Sequence, residues 1–295
     1  MAKLLRAGSQ LLGGGGGLAT PVPAYGAELM VNGDFESWVT ATNAATWSEG
    51  VAGASTVNRD AANQRAGTYC VRFDVDGSSS TANVNQGSST LGTWYLVSIW
   101  AKLVSGTTST IAIGKIGQTR EPPALTASYV QYFSVVCASG TQGFVFGRGT
   151  GASVSIAMDD ASCKAITLAS MFSVKDYGLA TADASAAVTI RAIGAPAGVV
   201  LRWTAADTWL AAWSDGVNCQ LIQSLSGTLS TLKTGTPTYV AGAKVRATVN
   251  GTTAKLYYNG TQVSTDATIN AALTGTQYGY FNSHAANTVS GLVVA

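Results

Sequence analysis

Ala66-Gly67-Thr68-Tyr69-Cys70-Val71-Arg72-Phe73 sets the reading of this chain. From Tyr69 onward it alternates with the two-residue period of a β-strand. Tyr69, Val71, Phe73 and Val75 fall on one face, and Cys70, Arg72 and Asp74 on the other. The period returns in Trp94-Tyr95-Leu96-Val97-Ser98-Ile99-Trp100-Ala101-Lys102, where Val97 and Ile99 point inward and Trp100 outward. It recurs at Ile111 and Ile113, Val130 and Tyr132, Phe144 and Phe146, and Val154, Ile156 and Met158. Gly, Ser, Thr and Asn fill the intervals, and no helical period intervenes. About eight to ten short strands predict a β-sandwich rather than an α/β fold.

The C-terminal part reads as a second sandwich. Val245–Val249, Asn250-Gly251, Thr252–Tyr258, Asn259-Gly260 and Thr261–Ser264 spell a meander with type I′ turns at both Asn-Gly pairs. Earlier strands are expected at Ala187–Ile193, Val199–Trp203, Leu210–Trp213 and Leu221–Leu225. Later ones are expected near Tyr278–Phe281 and Ser290–Val294. Trp203, Trp209 and Trp213 are spaced to share one face as a core stripe, and Tyr257 and Tyr258 must face opposite ways.

Composition supports an all-β chain. Charged residues are 11% of 295, against about 25% in ordinary proteins, and Gly, Ala, Ser and Thr take their place. A net charge of +2 without clusters offers no footprint for nucleic acid. Cys70, Cys137, Cys163 and Cys219 lack metal-ligand spacing and read as buried free thiols, which suits assembly in a reducing compartment. Met1 to Arg6 is basic, but five glycines, Gly13 to Gly17, cut short the apolar stretch after it, so no export signal is expected. No run approaches the roughly 18 apolar residues of a membrane span.

The organisation expected is therefore two β-sandwich (jelly-roll) domains in tandem, 28–166 and 171–295, behind an extended N-terminal arm, 1–27. Leu4, Leu5, Leu11 and Leu12 are the apolar points of that arm, and Thr20-Pro21-Val22-Pro23 is its stiff part. Stretched out, the arm could reach about 90 Å. It is expected to dock on another subunit or a larger particle; the alternative is packing back on its own domain.

The order of phrases from Asn32-Gly33-Asp34-Phe35-Glu36 through Ala66–Phe73 and Trp94–Lys102 to Ser155-Ile156-Ala157-Met158-Asp159-Asp160 resembles the jelly-roll carbohydrate-binding modules of the family 4 and 9 type. The resemblance covers roughly half the chain. The C-terminal part is similar to concanavalin A/laminin-G sandwiches, a more generic likeness. The first resemblance implies a structural Ca2+ between the first and last strands, with Glu36 and Asp160 as ligands and Asp34 and Asp159 in reserve. The alternative is that these acids cap turns and accept backbone amides.

Glycan binding needs an aromatic platform beside polar groups. Trp100 is the first candidate, with Trp38, Trp47 and Trp94 at strand edges or loops. Arg72, Asp74 and Gln86 are the polar partners. For each tryptophan the alternative is core packing. Catalysis is not expected: His284 is the sole histidine, no nucleophile elbow is present, and the four glutamates do not pair along a strand.

Two lectin-like sandwiches, an arm and no catalytic set look like a bacteriophage virion protein, such as a tail fibre, spike or decoration. On this reading it is made in the host cytoplasm, joins other virion subunits through residues 1–27, forms a homo-oligomer (a trimer by preference) and touches host-surface polysaccharide. The alternative is a bacterial carbohydrate-binding or adhesive protein; a weaker one is a fragment of a polysaccharide-degrading enzyme.

Overall fold

A computed structural model of the protein describes residues 17–77, 81–106, 111–120, 124–148, 153–179 and 183–295. Among these every regular element is a strand except one 3-10 turn at Leu168–Met171. The all-β expectation holds. No helix among the described residues is long and apolar enough to cross a membrane. The chain forms two compact units. One comprises residues 23–170 with 191–196, and the other 171–190 and 197–295 together with 17–22.

The first unit is a sandwich of two antiparallel sheets. The front sheet runs in the order Val130–Cys137, Trp94–Gly106, Val154–Ile166, Cys70–Val75, Thr56–Asp60, with Tyr25–Glu28 also paired to Val154–Ile166. The back sheet runs Gln118–Arg120, Ala112–Lys115, Phe144–Arg148, Ala82–Gln86, Ser48–Val51. Alternation decides what goes between them. Val71, Phe73, Val97, Ile99, Ile156 and Met158 from the front meet Val84, Ile113, Phe144 and Phe146 from the back, all buried. Each such side chain contributes about 1.5–3 kcal/mol.

One irregularity shapes the front sheet. Asp159 pairs with Trp100 and Ser162 with Ser98, so the strand spends three residues where its partner spends two. This β-bulge leaves Asp160 at φ 50° and switches which parity faces the core. Met158 points in before it, and Ala161 and Cys163 after it.

The expected boundary of the arm shifts. Tyr25–Glu28 is already a strand, in register with Ile166 and Lys164. Residues 17–22 pack back on the second unit: Leu18 lies against its core. Thr20 Oγ1 donates to the Val289 carbonyl at 2.5 Å, and Asn282 Nδ2 donates to the Pro21 carbonyl at 2.8 Å. Leu4, Leu5, Leu11 and Leu12 lie outside the described residues.

In the second unit one sheet is ordered Phe172–Asp176, Gln277–Asn282, Ala197–Ala205, Thr208–Ser214, Cys219–Leu225, Thr228–Gly235. The other is ordered Thr261–Gln262, Thr253–Tyr258, Ala243–Asn250, Ala184–Thr189, Thr288–Val294, and Ala267–Thr268 also pairs with Thr253–Tyr258. Leu210 and Ala212 face the core. Trp209 and Trp213 lie on the opposite face, buried against the Phe281 ring at 6.1 and 4.7 Å. Trp203 does not join them: the register shifts beside it, where Arg202 has φ 48°.

The two Asn-Gly turns differ. Tyr258 pairs with Thr261, and Asn259 and Gly260 both have positive φ (47° and 81°), as a type I′ turn requires. Asn250 instead pairs with Thr253, so the turn residues are Gly251 and Thr252, and only Gly251 has positive φ (58°). That is the type II′ pattern, with Asn250 inside the strand.

Candidate functional site

The solvent face of the front sheet gathers most of the polar side chains read as site candidates. Residues of alternating parity come into rows by pairing. Thr56, Asp74 and Ser155 form one row, Asn58, Arg72, Ala157 and Lys102 the next, and Asp159, Trp100 and Gln131 a third. Arg72 and Asp74, chosen from sequence, therefore do share a face with Trp100. Val97 and Ile99 are fully buried behind it.

Arg72 organises the face. Its Nε donates to Asp74 Oδ2 at 3.0 Å, and its Nη1 reaches Asp60 Oδ2 at 3.3 Å. Asp74 also accepts from Asn58 Nδ2 at 2.9 Å and Ser155 Oγ at 2.5 Å. Burial alone would raise the Asp60 carboxyl. The Ala62 amide, Asn63 and Arg72 outweigh it and hold the group below its ordinary value.

Residues 61–69 form a loop over one end of this face, and two acids tether it. Asp159 Oδ2 accepts the amides of Arg65 and Ala66 at 2.9 and 3.4 Å. Glu36 Oε1 accepts those of Thr68 and Tyr69 at 2.7 and 3.0 Å. The Tyr129 hydroxyl donates to the Asn63 carbonyl at 2.6 Å. Asp159 is buried, which pushes its carboxyl up to about 6, and neighbouring Asp160 adds to the shift. From this loop the Arg65 guanidinium lies 4.0 Å over the centre of the half-buried Trp100 ring and is ion-paired to Asp160.

The other tryptophans depart from the platform expectation. Trp47 is core: it stacks on Phe35 at 5.1 Å and donates to the Asn32 carbonyl at 2.9 Å. Trp94 is buried, 5% exposed. Trp38 is half-buried against the core, its Nε1 held by the Phe35 carbonyl. Gln86 sits on the back sheet, where its amide bonds both backbone groups of Val31 and the Thr46 carbonyl. It braces a loop and does not meet Arg72 or Asp74.

The acids read as Ca2+ ligands have protein partners or lie exposed in this structure. Asp160 is taken by Arg65, Glu36 and Asp159 accept amides, and Asp34 is exposed. Among the described residues no three acid, His or Cys side chains gather to hold a metal. The acid that ties the first strand to the last is Glu28, which the sequence reading passed over. It accepts the Cys163 amide at 2.7 Å and the Ser162 hydroxyl at 2.5 Å.

The four cysteines are free. Burial pushes Cys70 and Cys219 up to about 12 and Cys137 to about 11, and raises Cys163 further, away from nucleophilic thiolate chemistry. Burial lowers His284, whose Nδ1 accepts the Ala286 amide at 3.1 Å.

Asn58, Asp60, Arg65, Lys102 and Gln131 also belong to this face and were not read from sequence. Asn58 and Asp60 alternate in Thr56-Val57-Asn58-Arg59-Asp60, a signal that was available. Arg65 carried none, because its position depends on where the loop lands.

No family model matches the chain, and no curated protein matches it. Solved structures do. The CBM22-1 xylan-binding domain of Paenibacillus barcinonensis Xyn10C aligns over 50% of this chain and 97% of its own length, with 13% identity and a TM-score of 0.35. Carbohydrate-binding module CBM66 from Bacillus subtilis aligns over 41% and 76%, with 14% identity and a TM-score of 0.34. The enzymatically active domain of bacteriophage CBA120 tailspike protein 4 aligns over 47% of this chain but 21% of its own length, with 17% identity and a TM-score of 0.34. At such identities the likeness is one of fold alone.

Proposed function

We propose that this chain is a non-enzymatic, carbohydrate-binding structural protein whose first sandwich holds a glycan at Trp100. One observation carries the reading: a half-buried indole on the outer face of a sheet, in register with Gln131 and one row from Lys102, Arg72 and Asn58. An indole offers its ring to the C–H face of a pyranose, and the amides and cations beside it pair with hydroxyl groups. Arg65 covers the ring in the free protein, so a sugar takes the place of the guanidinium.

The setting that we infer is a phage virion. Low charge, four free thiols suited to a cytoplasm and an N-terminal segment with two leucine pairs, Leu4-Leu5 and Leu11-Leu12, support it. Of the expected arm, the residues before 17 would join other virion subunits, in a trimer by preference, and the partner outside would be a host-surface polysaccharide.

The test is a glycan array followed by Trp100→Ala. Binding should fall by about tenfold or more, while stability should fall by much less than the about 3–5 kcal/mol of a core tryptophan. A loss of that size, or an array without a ligand for the intact protein, would make the face structural. Deleting residues 1–16, which spares the contacts of Leu18, Thr20 and Pro21, should abolish incorporation into particles; unchanged incorporation would end the virion reading.

A further inference from the structure

The second unit has a solvent face of its own kind. On the sheet containing Ala243–Asn250, the inward residues Ala184, Ala186, Val245, Ala247, Leu256 and Tyr258 are buried. The outward row crosses all five strands of the sheet's main path: Val293, Ser185, Arg246, Tyr257, Gln262 are paired neighbour to neighbour. Beside this row is a concavity of about 310 Å³, lined by Asp183, Ser185, Lys244, Arg246 and Val293 among others. Ala295 closes its rim, and its amide and carbonyl are paired with those of Asp183.

Three features of this concavity point to a ligand. First, Tyr257 stands next to it, half-buried, with the Arg246 guanidinium 5.1 Å from the ring centre. Second, Arg246 is held in place by an ion pair with Asp183. Third, Lys244 is exposed and has no ion-pair partner among the described residues, so its ammonium stands ready for a ligand beside the Arg246–Asp183 pair. Lys244 and Arg246 carry only hydrogen-bond donors, and cationic donors favour a ligand that supplies acceptors. An aromatic ring beside them favours the C–H face of a sugar. Val293, 46% exposed, supplies an apolar wall.

We infer that this face is a second saccharide site, separate from Trp100 and selective for acidic sugars: a uronate whose ring lies against Tyr257 and whose carboxylate meets Lys244 and Arg246. It does not rest on the reading of the first unit.

The experiment is calorimetric titration of the full chain with oligogalacturonate, with its methyl ester, which keeps the rings but removes the charge, and with inorganic phosphate. The acid form should bind. Esterification, Lys244→Gln and Tyr257→Ala should each weaken binding by about tenfold or more, and added salt should weaken it further. Lys244 is exposed on a strand, so Lys244→Gln keeps the fold if Tyr257→Ala does not; thermal melts of both report this. Failure of the acid oligomer to bind, equal binding of ester and acid, or unchanged binding by Lys244→Gln would overturn the site. Phosphate binding as tightly as the oligomer would reduce it to a simple anion site and overturn the saccharide assignment. Trp100→Ala reads the other face, so the two proposals fail separately.

Discussion

The carboxylate of Glu36 occupies the space that a side chain on Gly67 would need: a Cβ there would lie 2.0 Å from Glu36 Oε1. Gly67 also sits at φ 68°, a conformation that disfavours other residues. These two positions, in separate sequence phrases, make one device that closes the 61–69 loop over the front sheet.

Gly67→Ala should therefore destabilise the first unit by about 1–3 kcal/mol, from backbone strain and lost amide bonds to a carboxylate. Glu36→Gln should cost less, because its carbonyl oxygen still accepts. Urea unfolding measures both, and a Gly67→Ala protein as stable as the parent would refute the tether. Chelation should leave the melting temperature unchanged, since Glu36 is engaged by amides.

Arg65→Ala should uncover Trp100. The guanidinium is about one-third exposed, side-chain accessibility 35%, so stability should change by no more than about 1 kcal/mol. Acrylamide should quench tryptophan emission more strongly in the variant. Equal quenching would mean that Arg65 does not shield the ring in solution.

Asp159 gives a signed pH dependence. Its folded carboxyl titrates near 6, whereas an unfolded aspartate titrates near about 3.9. Between those values the folded state binds more protons, so its contribution is present at low pH and is lost as pH rises through about 6. Asp60 works oppositely: its lowered carboxyl contributes stability that is lost as pH falls through its folded value. His284, lowered by burial, also opposes Asp159, since its contribution is lost as pH falls. Subtracting Asp159→Asn from the parent cancels both. The parent's stability relative to that variant should fall as pH rises from about 4 to 7; a flat difference would rule the effect out.

The two Asn-Gly pairs should respond differently to substitution. Asn259→Ala loses a residue at φ 47° and the acceptor for the Lys244 amide, 2.9 Å away, and should cost about 1 kcal/mol or more. Asn250→Ala changes an exposed strand end without positive φ and should stay within about 0.5 kcal/mol. Equal losses in thermal unfolding would mean that both turns are type I′.

What the residues determined alone is the periodic part of this protein. Alternation at Tyr69–Val75 and Trp94–Lys102 committed both segments to strands, placed Val71, Phe73, Val97 and Ile99 inside and turned Trp100 and Arg72 out. Side-chain direction has a period of two along a strand, so it is written locally. Register, bulges and loop landing are not local, and the tertiary structure decided them. Packing of the closed sandwich buried Trp47 and Trp94 and left Trp100 half-buried on the outer face. The extra residue at Asp160 reversed the strand's parity and set that acid against Arg65. Gln86 joined the opposite sheet from Arg72, although both lie on outward-reading strands. A single shift of register exchanges the two faces of a strand, so which residues meet on one surface depends on the whole sandwich closing around its core.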